Sequence, residues 1–303
     1  VWGSTAAETT SFIDGIEVPS LFHLGGLRSV LPSPFVRAIE LVPGGFGVAF
    51  GRALGGLATV ETKALPEEGF HGHAAFDFYD GTVMFTGATD GVRYGVALRA
   101  SWLDLLLEAV VDEDLGDQFV LPRYQDGVAK VSFALDEGED LTLILLHRSD
   151  QLERARPAAD PNQRRSDLRT VSSERLSVRY RAANEQTSSS AQVWVGYDDQ
   201  ARSFKSAGVP ASTRARSSQL ALRLEHQRLM TQADWLGAPF ELRGTLGLDA
   251  RAVRTQHERV GSFTIPPREG DVVVFGQPPG GEVGRDDWST GLLDPAAYAA
   301  ALL

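Results

Sequence analysis

His71 and His73 stand two residues apart, so in an extended segment both rings leave the same face, as metal ligands do. A zinc site also needs a third protein ligand at a diagnostic spacing, and the sequence offers none. No metal and no cofactor is expected. Asp112-Glu113-Asp114, with Gly116 and Asp117, is acidic enough for calcium, but the ligand order of an EF-hand loop is missing and a solvated loop is the expectation. Forty aspartates and glutamates could supply a carboxylate pair almost anywhere, so their number argues for no hydrolase. Neither a Gly-x-Ser-x-Gly elbow nor a His-Glu-x-x-His helix occurs. A phosphate-binding loop needs Gly-Lys-Ser/Thr before a helix; the glycine-rich stretch from Ala38 to Lys63 has Gly51-Arg52-Ala53 instead. The expectation is a protein that is not an enzyme.

The chain has 303 residues, 43% of them hydrophobic, enough for a sizeable core. Its net charge of −11 repels a nucleic-acid backbone, so no nucleic-acid partner is expected. Without cysteine it has no disulfide, thiolate metal site or cysteine nucleophile. A membrane helix needs about 18 consecutive apolar residues. The nearest candidate, residues 103–111, is short and carries Asp104 and Glu108. A β-barrel remains open.

Asp-Gly pairs at 80–81, 90–91 and 126–127 suit the positive φ angles of tight hairpins. They predict strands over 70–79, 82–89 and 92–102, and then 127–136 and 139–149 around Glu137-Gly138. Further strands are predicted at 174–182, 190–198, 217–229 and 239–253, where apolar and charged residues alternate. Leu220, Leu222 and Leu224 share one face and Arg223 and Glu225 the other; Leu176, Val178 and Tyr180 likewise oppose Arg175, Arg179 and Arg181. Such alternation serves a soluble sandwich with its apolar face inward or a membrane barrel with that face outward. Strand length favours the barrel, since about ten tilted residues cross an apolar band of roughly 25 Å. Connection length favours it too: 103–126, 150–173, 199–216 and everything after 253 read as long, and 137–138, 183–189 and 230–238 as short, as outer-membrane barrels alternate.

The glycine-rich stretch precedes the first of these strands. Ile39-Glu40-Leu41, Gly44, Phe50-Gly51, Gly55-Gly56, Leu57 to Val60 and Thr62-Lys63 follow one another in a spacing that resembles the end of the plug domain of TonB-dependent outer-membrane receptors. Upstream, Phe12-Ile13-Asp14-Gly15-Ile16-Glu17-Val18 resembles the family's earlier plug strand, and Gly3 the tail of a still earlier motif. Val42-Pro43-Gly44 replaces the usual Arg-Gly-Pro, Phe50 the usual Tyr, and Trp2 the usual Arg. The plug signature is thus Asp14, Gly15, Glu40, Gly44, Gly51, Gly55 and Gly56. Its glycines are expected to permit sharp turns and close backbone approach.

The resemblance implies an all-β membrane β-barrel fold, incomplete: the C-terminal part of a plug over 1–66, then the N-terminal part of the barrel over 67–303, nine or ten strands of about 22. The chain reads as a fragment, lacking a coupling box at its start and a closing aromatic strand at its end. The implied function is outer-membrane uptake of a scarce small-molecule ligand, such as a siderophore, cobalamin or saccharide. The implied partners are the TonB complex, through a region outside this chain, and outer-membrane lipid. The segment Pro19 to Arg28 would form the plug's outer apex, with Phe22, His23 and Arg28 as candidate ligand-binding residues. Two other readings remain: a soluble β-sandwich adhesion or carbohydrate-binding module, and a periplasmic hydrolase on a β scaffold.

Overall fold

The computed structural model describes residues 8–24, 26, 28–102, 122–156, 165–206, 209–235, 238–262 and 283–302. Two sheets organise them. The smaller contains β1 (Thr9–Ile13), β2 (Ile16–Val18), β3 (Val36–Val42) and β4 (Gly56–Thr62), in the order β2-β1-β4-β3. β1 runs parallel to β4, and the other two pairings are antiparallel. The β1–β2 turn is Asp14-Gly15, both at positive φ (48° and 81°). Gly15 is required twice over, because a Cβ there would lie 2.7 Å from Oε1 of Gln192.

The larger sheet is a ten-stranded antiparallel array in which each strand pairs with the next. It holds β5 (Phe70–Phe76), β6 (Asp80–Thr89), β7 (Val92–Ser101), β8 (Pro122–Ala134) and β9 (Glu139–Arg156). It continues through β10 (Arg165–Ala183), β11 (Thr187–Ser206), β12 (Val209–Trp235), β13 (Ala238–Ser262) and β14 (Val283–Leu302). β5 and β14 form the two edges and do not pair with each other, so the array is an incomplete barrel.

Several sequence expectations need correction. Asp126-Gly127 is not a turn: both residues lie inside β8, opposite Arg99 and Leu98 on β7 and Arg148 and His147 on β9. The expected long connection 199–216 is mostly strand, with β11 and β12 paired up to Ser206↔Val209. The expected connection 230–238 is likewise the end of the β12–β13 ladder, closing at Trp235↔Ala238. Much of 150–173 is also strand, and β14 was not anticipated. The cause is common to all of these. Backbone ladders continue through polar residues such as Thr213-Arg214-Ala215-Arg216, whereas apolar alternation marks only the part of a strand with a greasy surface to cover. Pro295 sits in β14, an edge strand, where its missing N–H breaks no second ladder.

The two faces of the array have opposite chemistry. On the outside, Val96, Leu98, Leu145, Leu176, Val178, Leu220, Leu222, Leu246 and Leu248 are exposed. On the inside, Ala97, Val128, Ile144, Leu146, Trp194 and Ala221 pack on Ile13, Ile16, Val18, Leu31, Phe35, Val60 and Leu65. The small sheet therefore sits against the inner face. In a soluble sandwich the apolar faces would meet; here the most apolar face of the larger sheet is bare.

Candidate functional site

The apex segment between β2 and β3 folds as a hairpin. Phe22 bridges Ser29, the His23 N–H donates to Arg28 O at 2.9 Å, and the Gly26 N–H donates to His23 O at 3.0 Å. Four strands of the array hold it. From β7, Arg99 donates to Ser29 O and reaches Asp126 Oδ2 through Nε at 2.9 Å. From β9, Arg148 Nη2 donates to Phe22 O at 2.9 Å and pairs with Asp150. From β6, Asp80 accepts from Arg28 Nε at 3.1 Å and from the Tyr124 hydroxyl of β8.

His23 is the centre of this arrangement. It is 3% exposed, its Nε2 lies 2.9 Å from Asp126 Oδ2, and its Nδ1 meets Asp150 Oδ1. The Tyr124 ring stacks on it at 4.2 Å between centroids. Burial opposes a charge on the ring, but hydrogen bonds to Asp126 and Asp150 and the charges of both outweigh burial, so its pKa is raised above 6.5.

The three expected apex residues thus take different positions. Phe22 is 55% exposed. Arg28 is partly exposed, pairs with Asp77 and Asp80, and lies 5.1 Å from the Tyr79 ring centroid. His23 is turned away from solvent into the wall. Leu24, next in sequence, lines a cavity of about 720 Å3 with Arg169, Arg202, His257, Arg259 and Trp288, the last two rings of which, His257 and Trp288, stack at 5.1 Å. The site can therefore offer guanidinium groups and aromatic faces to a polar ligand with planar parts.

Below the apex, the remaining signature residues fall into two groups. Asp14 accepts from Thr62 N at 2.9 Å and lies 3.6 Å from Lys130 Nζ, so it ties β1, β4 and β8 together. Glu17 accepts from Arg175 through its backbone oxygen, and its carboxylate pairs with Arg251. Arg223 of β12 binds Asp249, donates to Ala49 O, and lies over the rings of Phe12 and Phe50. By contrast, Glu40 is exposed on β3. A Cβ at Gly44 or Gly51 would meet nothing within 4 Å, and within 38–63 only Gly45 has positive φ (67°), so backbone crowding explains neither glycine. Gly56 starts β4, and the Gly55 N–H donates to Glu8 O. His71 and His73 lie exposed on β5, and the described residues contain no cluster able to hold a metal. Asp112, Glu113, Asp114, Gly116 and Asp117, together with Trp2 and Gly3, lie outside the described residues.

Arg99, Asp126, Arg148 and Asp150, which build the socket for His23, were not among the expected site residues, and Asp126 was expected only as a turn residue. Parity along the expected strands 92–102 and 139–149 puts Arg99 and Arg148 on one face, and that signal was available; Asp126 was expected in a turn and Asp150 in a connection. The convergence of all four on one side chain was not legible, because it depends on the stagger between four strands.

A continuous small sheet held by charged side chains on the inside of an outwardly apolar strand array is the architecture of a plug in a barrel. The chain has the fold of the plug end and adjoining barrel strands of TonB-dependent outer-membrane receptors. Among solved structures it is similar to the ferric citrate transporter FecA, at a TM-score of 0.62 and 16% identity over 98% of this chain and 45% of that one. It is similar also to the ferric yersiniabactin uptake receptor FyuA from Yersinia pestis, at 0.63 and 11% over 97% and 53%. The alcaligin outer membrane receptor FauA from Bordetella pertussis gives 0.50 and 11% over 97% and 49%. This chain spans about half the length of each. No protein-family profile and no curated protein matches its sequence.

Proposed function

We propose that this chain belongs to an outer-membrane receptor that takes up a scarce small-molecule ligand by TonB-dependent transport, with 1–66 as plug and 67–303 as barrel. The carrying observation is the inversion of the strand array: lipid-compatible leucines outside, and inside a sheet fastened through Asp14, Glu17, His23 and Arg223. The two most similar structures quoted are an iron-chelate transporter and an iron-chelate uptake receptor, which favours a siderophore over cobalamin or a saccharide. In this reading TonB acts on a region outside the chain, and outer-membrane lipid covers the leucines. Phe22 and Arg28, with the arginines and the His257–Trp288 pair of the cavity, form the ligand surface, while His23 holds the apex in place.

The test is ligand binding by the full-length receptor on intact cells. Phe22→Ala is expected to weaken binding at least tenfold, about 1.4 kcal/mol, with normal heat-modifiable mobility on gels. Unchanged affinity in a correctly assembled receptor removes Phe22 from the ligand surface.

A further inference from the structure

The buried set around His23 contains three carboxylates, Asp80, Asp126 and Asp150, and two guanidinium groups, those of Arg99 and Arg148, while Arg28 and Asp77 pair with each other at its exposed edge. Three negative and two positive buried charges leave one negative charge over, the Arg28–Asp77 pair at the edge being neutral in sum, and a doubly protonated imidazole closes the balance. The hydrogen bonds lead to the same place independently. Each ring nitrogen of His23 faces a carboxylate oxygen, Nε2 that of Asp126 and Nδ1 that of Asp150. A neutral imidazole has only one N–H, so its other nitrogen would turn a lone pair toward a carboxylate; Arg99 Nη2 could meet that lone pair only at Nε2, and at 3.3 Å it is farther away than Asp126 Oδ2 at 2.9 Å. Moreover, Asp126 Oδ1 is buried without a partner, so Asp126 depends on the contacts that His23 and Arg99 make to Oδ2.

We infer that His23 is held as an imidazolium and latches the apex hairpin to β8 and β9, so that loss of its proton frees the hairpin from the barrel wall. The groups facing the ring are Arg99 of β7, Tyr124 and Asp126 of β8, and Arg148 and Asp150 of β9; Asp80 of β6 reaches it through Tyr124, and Arg28 through Asp80. Arg99 and Arg148 also grip the backbone oxygens of Ser29 and Phe22. The imidazolium is the centre of a clamp on both strands of the hairpin. His23 is in this sense a positioning residue: it sets where Phe22 and Arg28 stand without itself meeting a ligand.

The direction of the pH dependence follows. The ring's pKa is raised in the folded protein from its ordinary 6.5. The latch is therefore fully closed below 6.5 and weakens as the pH rises through the folded value, by up to about tenfold per pH unit in the opening equilibrium between the two. Below 6.5 the latch itself adds no pH dependence.

Two measurements on the full-length receptor in outer-membrane vesicles test this, and neither needs a ligand or transport, so they are independent of the proposed uptake function. In the first, nitrogen NMR of histidine-labelled protein is expected to show one ring, absent from His23→Gln, with both nitrogens protonated above pH 6.5. A ring that titrates at or below 6.5 overturns the inference. In the second, hydrogen exchange of residues 19–31, corrected for intrinsic rates, is expected to lose protection as the pH rises past 6.5. In His23→Gln that slope should vanish while a peptide from β11 stays unchanged. Equal slopes in both proteins overturn the latch. If His23→Gln does not assemble, Asp150→Asn replaces it: removing one acceptor should lower the pH at which the NMR signal changes, and an unmoved signal counts against the latch equally.

Discussion

Neighbouring residues of β12 live in opposite environments. Leu222 is 38% exposed on the outer face, while Arg223 turns inward to Asp249, Ala49 and two aromatic rings of the plug. The same inversion recurs on β10, where Leu176 is exposed and Arg175 is 2% exposed against Trp194 and Asp198. In a soluble protein leucines fill the core and arginines face water. In the proposed reading lipid would take the place of the core for the outer face, while the inner face holds the small sheet through paired charges. Inward-facing charge in this protein is thus a fastening, and its cost of desolvation is offset only where every partner is present.

Three substitutions in the full-length receptor test the contrast between the two faces, each read as a change in unfolding free energy in a membrane titration. The largest effect is expected for Arg175→Leu. It leaves Asp198 with the Gln219 amide but no guanidinium and removes the bond to Glu17 O, so a loss of about 3–5 kcal/mol is expected for breaking one side of a buried pair. A neutral result would mean that the inner face is wet and the plug loosely held. Next comes Leu222→Arg, expected to cost about 2–4 kcal/mol if the residue faces hydrocarbon near the midplane. If it costs nothing, the outer face is not in lipid. The smallest effect is expected for Arg202→Ala. Arg202 binds Asp167 bidentately, but on an exposed stretch of β11 beyond the apolar belt, so a loss of about 1 kcal/mol or less is expected. A cost as large as that of Arg175→Leu would show that exposure, rather than inward orientation, is the wrong variable.

How far the site was legible can be judged at particular residues. Asp14-Gly15 was found from its motif, because the turn it closes is local to the small sheet, whereas the approach of Lys130 and Gln192 from the array could not be read. His23 and Arg28 were found as chemistry-bearing residues of an apex, but their fates could not be read. The step from His23 to Asp126 spans 103 residues and that to Asp150 spans 127, and no local pattern encodes such a meeting. Asp126 was misread because Asp-Gly fits a type I′ turn, while the pairing of β8 with β7 and β9 kept the same dipeptide extended. Gly44 and Gly51 matched a spacing, and the structure gives no crowding that requires them.

The strand class and which residues share a face are legible in the amino-acid order. These follow from a two-residue period that the strands carry in their own side chains wherever one face is apolar. Where strands end, the presence of β14, and the locking of the small sheet through His23, Arg175 and Arg223 to the inside of the array come from the folded arrangement. Ladder hydrogen bonds join backbones regardless of side chain, and ion pairs across the interior depend on stagger accumulated over many strands. Neither leaves a trace in the local order of residues.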